Sequence, residues 1–170
     1  LPVVAAKLLD QSLAVQVTMG LVAMAGHSWS PYLRFTGGRG VATAVGVVLG
    51  MAMYWEFLVL TVVMGAIGRL IFRETGLWTF ISMFLLPVLT YLFSRPTEVF
   101  YMTLAIGLLL TMKRLTANWE PASGEYSLMR VALHRALWDR DVPKRVAWTR
   151  RHPIPKTEGL SGEAGDDVLR

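Results

Sequence analysis

The residues of this chain with the clearest chemical potential lie in one stretch. Positions 26–43 read Gly-His-Ser-Trp-Ser-Pro-Tyr-Leu-Arg-Phe-Thr-Gly-Gly-Arg-Gly-Val-Ala-Thr. Gly37, Gly38 and Gly40 surround Arg39, and an apolar run follows at once. Glycine permits positive φ and close backbone approach. Successive N–H groups in such a turn form an anion-binding nest, and the start of the next helix adds partial positive charge. Arg39 can grip a phosphate with two parallel hydrogen bonds. The pattern therefore suits a phosphate held at a helix start. A tight turn with Arg39 as a topology charge is the competing reading. The loop is neither a Walker A motif nor a G-x-G-x-x-G fingerprint. His27 is a candidate general base or phosphate donor, with an interfacial or structural histidine as the alternative. His134 and Asp139 spell His-x4-Asp, but on a helix five residues turn through about 500°, so the two side chains diverge by roughly 140° and the spacing is read as coincidence.

The elements that must position these residues are membrane helices. The 170 residues are 54% hydrophobic and only 17% charged, with mean hydropathy +0.45 and net charge +5. That excludes a disordered chain and an ordinary water-soluble enzyme. With no cysteine there is no disulfide framework and no thiolate metal site. Eleven of the 17 basic residues and eight of the 12 acidic ones lie at or after Lys113. A bilayer core tolerates few charges, so this asymmetry marks a change of solvent. Six apolar segments precede it, at 1–9, 12–25, 41–53, 57–72, 77–93 and 99–112, with Pro87 expected to kink the fifth. They are apolar all round rather than alternating, so helices and not barrel strands are expected. The fold class expected is all-α, a polytopic membrane helix bundle. Trp29, Trp55, Trp78 and Trp119 fall at segment ends, as interfacial anchors do. Gly46 and Gly50, with Ala42, suggest a close-packing face between helices.

Loop charges set the orientation. A cytoplasmic basic tail makes the loops bearing Arg34 and Arg39, and Arg69 and Arg73, cytoplasmic too. The 26–40 loop, the Arg73 loop and the Lys113 segment are therefore expected at one membrane face. Residues 123–142 carry Tyr126, Met129, Leu133 and Leu137 at helical spacing and suggest an amphipathic helix on the anionic inner surface. Beyond Pro143 a flexible terminus is expected. The pI of about 9.9 fits positive-inside topology, so nucleic acid is not an expected partner.

In one register, Gly26, His27, Pro31, Phe35, Gly37, Gly38, Gly40, Val41, Ala42 and Thr43 resemble the second signature block of the bacterial acyl-phosphate:glycerol-3-phosphate acyltransferases, the PlsY family. Arg39 stands where that family usually has lysine. Leu1-Pro2-Val3 resembles the end of the preceding helix, and Lys113-Arg114-Leu115 with Glu120-Pro121 resembles the close of the third block. The family's first block has no counterpart here, and the chain is expected to be a processed or incomplete one whose own start lies upstream. Leu108-Leu109-Leu110-Thr111 replaces a His-Arg-x-Asn element, and a serine pair of the middle helix appears as Gly76 and Thr79.

The resemblance implies a multi-pass enzyme of the cytoplasmic membrane, with its active site and C-terminus on the cytoplasmic side. It implies transfer of a fatty acyl group from acyl phosphate to the 1-hydroxyl of glycerol 3-phosphate, giving lysophosphatidic acid in phospholipid biosynthesis, without metal or organic cofactor. The expected partners are these two substrates and membrane lipid. The residues it puts forward are His27 and Arg39 for catalysis, with Gly37, Gly38, Arg39, Gly40, Thr43, Thr79 and Glu120 for substrate and phosphate binding. Nulls stand beside them: a threonine bonded back to its own helix at Thr79, an ordinary solvated acid at Glu120. The expected organisation is an acyltransferase-like membrane domain at 1–121 and a basic tail at 122–170. The alternative function is a non-catalytic membrane protein: a degenerate relative that binds lipid or a partner, or a transporter subunit.

Overall fold

The computed structural model describes residues 1–117 and 127–140, and these are helical throughout apart from connections. In chain order the helices are α1 (Pro2–Leu8), α2 (Leu13–Ser28), α3 (Val41–Gly50), α4 (Tyr54–Thr61), α5 (Thr75–Leu92), α6 (Thr97–Thr116) and α7 (Leu128–Trp138). α4 runs on without a break as a π-helix over Val62–Ile71. Tyr54–Ile71, α5 and α6 are long and apolar enough to cross a membrane, while α2 and α3 are shorter apolar helices. Helices satisfy their own backbone polar groups, which is what hydrocarbon demands.

The core between the helices is built from Val3, Met24, Ala44, Val47, Val48, Met53, Met83, Leu86, Met102, Ile106 and Leu110. Outside it, Val22, Leu70, Phe84, Val88, Tyr101 and Leu108 all point away from the protein. That much contiguous apolar surface has no place in water and suits lipid. Polar groups within the bundle are satisfied locally: Thr90 and Thr103 hydroxyls lie 3.2 Å apart across α5 and α6, and each also bonds to a carbonyl of its own helix.

Three details differ from the expected pattern. The fourth segment starts earlier, at Tyr54, and widens into a π-helix rather than staying an α-helix. The wide turn sets Gly68 against Trp78, where a β-carbon would lie 2.5 Å from that of the tryptophan. The packing face of α3 is Ala44, Val47 and Val48, because Ala42 is exposed and a β-carbon on Gly46 would meet nothing within 4 Å. Gly50 does make a close approach, its added β-carbon falling 3.1 Å from that of Val3 in α1, and Gly20 makes another, within 2.8 Å of Val47. Lastly, α7 docks on the bundle through Val131 and Arg135, a contact the sequence does not suggest, while Met129 and Leu133 of the expected amphipathic stripe face outward.

The two ends of the bundle differ in charge. At one end the carboxylate of Glu56, with no exposed surface, takes a bidentate grip from Arg95 at 2.6 and 2.9 Å. That hydrogen bonding raises the Arg95 pKa, against the opposing effect of burial. At the other end lie the 29–40 loop, the Arg73 turn, the end of α6 and α7.

Candidate functional site

The polar end is assembled on the last turn of α2. The chain leaves α2 at Trp29, makes a short 3-10 turn at Pro31–Leu33, and doubles back through Arg34 and Phe35, both left-handed with φ of 54° and 61°. The Phe35 N–H donates to the Ser30 carbonyl at 2.9 Å, which closes the loop. The three glycines then lie on the His27–Ser28 turn. A β-carbon at Gly37 would overlap the His27 carbonyl and lie 2.8 Å from that of Ser28. One at Gly38 would overlap the His27 imidazole. Gly40 has φ +80°, and its β-carbon would meet Ser28 Oγ at 2.9 Å and Leu110 at 3.1 Å. The sequence pattern thus has a packing cause beside its conformational one.

Exposure separates the roles within the loop. Gly38 and Arg39 are exposed, Gly37 is partly covered, and Gly40 is buried as the first cap of α3. Thr43 sits half-buried in the first turn of α3. His27 is itself exposed, with its ring against Gly38.

Two cations from the end of α6 complete this end. Lys113 is 2% exposed; its ammonium donates to the Ser28 carbonyl and lies 5.3 Å from the Trp29 ring centre, a cation–π contact. Arg114 donates to the carbonyls of Ala136 at 2.7 Å and Gly76 at 3.1 Å. Among the described residues both donate to carbonyl dipoles, which orient their positive charge without cancelling it. Burying cations in that state is costly without an anion nearby, and it makes this end attractive to one.

α7 closes the assembly. The Arg39 guanidinium pairs with Asp139, Trp138 Nε1 donates to Glu74 Oε2 at 3.3 Å, and Arg135 donates to the Leu115 carbonyl at 3.2 Å. Beneath these contacts lies an open cavity of about 470 Å³ lined by Arg39, Arg73, Glu74, Thr75, Gly76, Trp138, Asp139 and Arg140. A second cavity, about 140 Å³ and almost wholly apolar, opens below the loop between α3, α4, α5 and α6. Val41 and Thr79 lie at its polar end, with Val48, Phe57 and Leu86 further along the helices.

Of the residues singled out from sequence, the structure brings His27, Gly37, Gly38, Arg39 and Gly40 together, with Thr43 one turn away. Thr79 stands apart, its hydroxyl donating to the Thr75 carbonyl at 2.6 Å inside the apolar cavity. Glu120 lies outside the described residues. Arg39 pairs with Asp139, the residue whose spacing from His134 reads as coincidence. His134 packs edge-on to Trp138 at 5.4 Å while Asp139 turns to the arginine, so the two act separately. The contacts of Asp139, Trp138 and Glu74 at this end escaped the sequence reading, because only tertiary docking brings α7 to the loop. The one local signal is an aspartate ending a helix.

A family model described as glycerol-3-phosphate acyltransferase matches residues 1–120. Glycerol-3-phosphate acyltransferase 4 of Dehalococcoides mccartyi is 30% identical over 151 residues, which cover 85% of this chain and 64% of the relative. Glycerol-3-phosphate acyltransferase 2 of Moorella thermoacetica is 35% identical over 136 residues, covering 73% and 68%. The crystal structure of PlsY, an integral membrane glycerol 3-phosphate acyltransferase, in its glycerol 3-phosphate form superposes with a TM-score of 0.60 at 26% identity over 66% of this chain and 56% of that one. The chain thus spans a little under two-thirds of the Dehalococcoides relative.

Proposed function

The chain belongs to the glycerol-3-phosphate acyltransferase family, and from that premise we propose that it transfers a fatty acyl group from acyl phosphate to the 1-hydroxyl of glycerol 3-phosphate. The products are lysophosphatidic acid, for phospholipid synthesis, and inorganic phosphate. The observation that carries this reading is an arginine-lined polar cavity and an apolar cleft lined by near neighbours in sequence, Arg39 and Gly76 in the first and Val41 and Thr79 in the second. A phosphate and a fatty chain on one molecule need both.

Acyl phosphate is a mixed anhydride with a good leaving group. The hydroxyl oxygen bonds to the acyl carbon, the bond from that carbon to the phosphate oxygen breaks, and the departing phosphate takes up the hydroxyl proton. The protein's part is to hold two phosphates and aim the hydroxyl, which positioning and fixed charge can supply. In this reading the Gly37 and Gly38 amides and the Arg39 fork hold phosphate at the start of α3. Gly40 sets the turn and Thr43 faces the same helix start. Arg73 adds charge across the cavity, and Lys113 and Arg114 supply the positive field behind it. His27 spaces the loop through its ring against Gly38. Thr79 borders the acyl cleft, and Glu120 remains a candidate binding residue. No step calls on a metal or organic cofactor.

The reading places the enzyme in the cytoplasmic membrane with this end toward the cytoplasm. The arginines at the polar end favour that orientation, and acyl phosphate and glycerol 3-phosphate would meet the site there. The test is to supply the protein in bilayers with acyl phosphate and glycerol 3-phosphate and to measure lysophosphatidate and phosphate released in equal amounts. Folded protein that makes neither, beside an active relative, would leave the non-catalytic alternative standing.

A further inference from the structure

Asp139 is an odd residue for its position. It ends α7 in the left-handed conformation, φ 60°, where glycine or asparagine caps a helix at less cost. Its negative charge also sits at the negative end of the helix dipole. Helix stability therefore does not account for an aspartate here. Its carboxylate reaches across to Arg39, a residue one hundred positions earlier. The contact depends on tight docking of α7. A β-carbon on Gly76 would lie 2.6 Å from the Trp138 carbonyl oxygen, so the absence of a side chain at Gly76 is what admits the end of α7. Arg114 binds the Ala136 and Gly76 carbonyls from the same guanidinium and clamps that approach.

We propose that Asp139 is a built-in competitor of the phosphate-bearing substrate: its carboxylate occupies Arg39 when no substrate is bound, and an incoming phosphate must displace it. This rests on the proposed acyl transfer only for the identity of the ligand. Among the described residues the cavity is lined by three guanidinium groups, Arg39, Arg73 and Arg140, and two carboxylates, Glu74 and Asp139. Asp139 offers one charge to Arg39. A phosphate monoester brings close to two charges and three acceptor oxygens at neutral pH, and it draws on all three arginines at once. A sulfate monoester has the same shape and one charge, so it binds more weakly, but the carboxylate it must displace is the same. The pair is half-exposed, with side-chain exposures of 47% and 25% for Arg39 and Asp139. An exposed ion pair of this kind changes an affinity by about two- to fivefold. Glu74 accepts from Trp138 Nε1 at 3.3 Å.

The experiment measures binding by calorimetry on the full chain in detergent, with glycerol 3-phosphate, acyl phosphate and glycerol 3-sulfate as separate probes. In the starting protein the phosphate should bind and the sulfate should bind much more weakly. Asp139→Asn keeps size and helix-capping ability but removes the charge. It should tighten glycerol 3-sulfate and the phosphate that meets Arg39 alike, about two- to fivefold, and leave their ratio unchanged. Gly76→Ala, which pushes the end of α7 away without touching Asp139, should do the same. The two phosphate probes identify which substrate meets Arg39: the one whose affinity rises in Asp139→Asn. Unchanged affinities in Asp139→Asn overturn the proposal. So does a weakening of all probes, which would make Asp139 a support for Arg39. Absence of turnover with normal phosphate binding would sink the acyltransferase reading alone, since the affinities are read without catalysis.

Discussion

Gly38→Ala tests whether the loop is shaped by its packing on His27. The φ of Gly38 is outside the left-handed region, so alanine meets no backbone penalty of that kind. What it meets is the imidazole: the new β-carbon would overlap Nε2 and lie 2.9 Å from Cε1 and 3.1 Å from Cδ2. The loop or the ring must move by an ångström or so. Forcing one extra carbon into a filled space costs about 1–3 kcal/mol. His27 is exposed, so its ring can swing out, and the lower part of that range applies. At about 1 kcal/mol, glycerol 3-phosphate binding should fall roughly fivefold. In a His27→Ala background the obstacle is gone, and Gly38→Ala should then be nearly silent. The coupling between the two sites should be of order 1 kcal/mol. The assay is calorimetric binding of glycerol 3-phosphate to the four proteins of the cycle, with thermal unfolding in the same detergent as control. Binding is chosen over turnover so that a proton-transfer role for His27 does not contaminate the cycle. Gly38→Ala losses that are the same with and without the imidazole would refute the packing argument. Gly37→Ala should be worse than Gly38→Ala in either background, because it overlaps the His27 backbone carbonyl, which cannot rotate away.

Arg39→Ala should cost less than about 1 kcal/mol of stability, as its ion pair is half-exposed, while sharply weakening phosphate binding; equal losses of both, by unfolding and calorimetry, would reassign it to structure. Arg95→Ala should destabilise the protein by about 3 kcal/mol, because it strands the fully buried Glu56 carboxylate. Adding Glu56→Leu should recover most of the lost melting temperature. The raised Arg95 pKa means its contribution is complete below the ordinary arginine range and lost only as pH climbs past the folded-state value. Stability should therefore show no step from Arg95 between neutral pH and about pH 10. Gly65 lines the apolar cleft, and a β-carbon there meets nothing within 4 Å. Gly65→Leu should fold and should favour shorter acyl phosphates, by roughly fourfold in KM for each methylene excluded.

Much of this protein was readable before any coordinates. Charge asymmetry about Lys113 and apolar runs without alternation required a membrane helix bundle, because hydrocarbon leaves the backbone few other ways to satisfy itself. Local pattern placed Gly37, Gly38, Arg39 and Gly40 in one turn at a helix start, and loop charges gathered Arg39, Arg73 and Lys113 at one end. Those features depend on near neighbours or on the solvent, and both are written in sequence. Why three glycines are needed was not: that follows from the His27–Ser28 turn lying beneath them, a contact set by the angle at which the loop returns. The π-helical half of the fourth span was equally hidden, since Gly68 answers to Trp78 across a turn. Asp139 shows the limit most clearly. Its neighbours in sequence suggest only a helix end, and its meaning comes from Gly76, Arg114 and Arg39 on three other elements. A side chain's role is local information when its partners lie within a helical turn or in the solvent; it becomes a property of the fold when those partners are brought to it by packing.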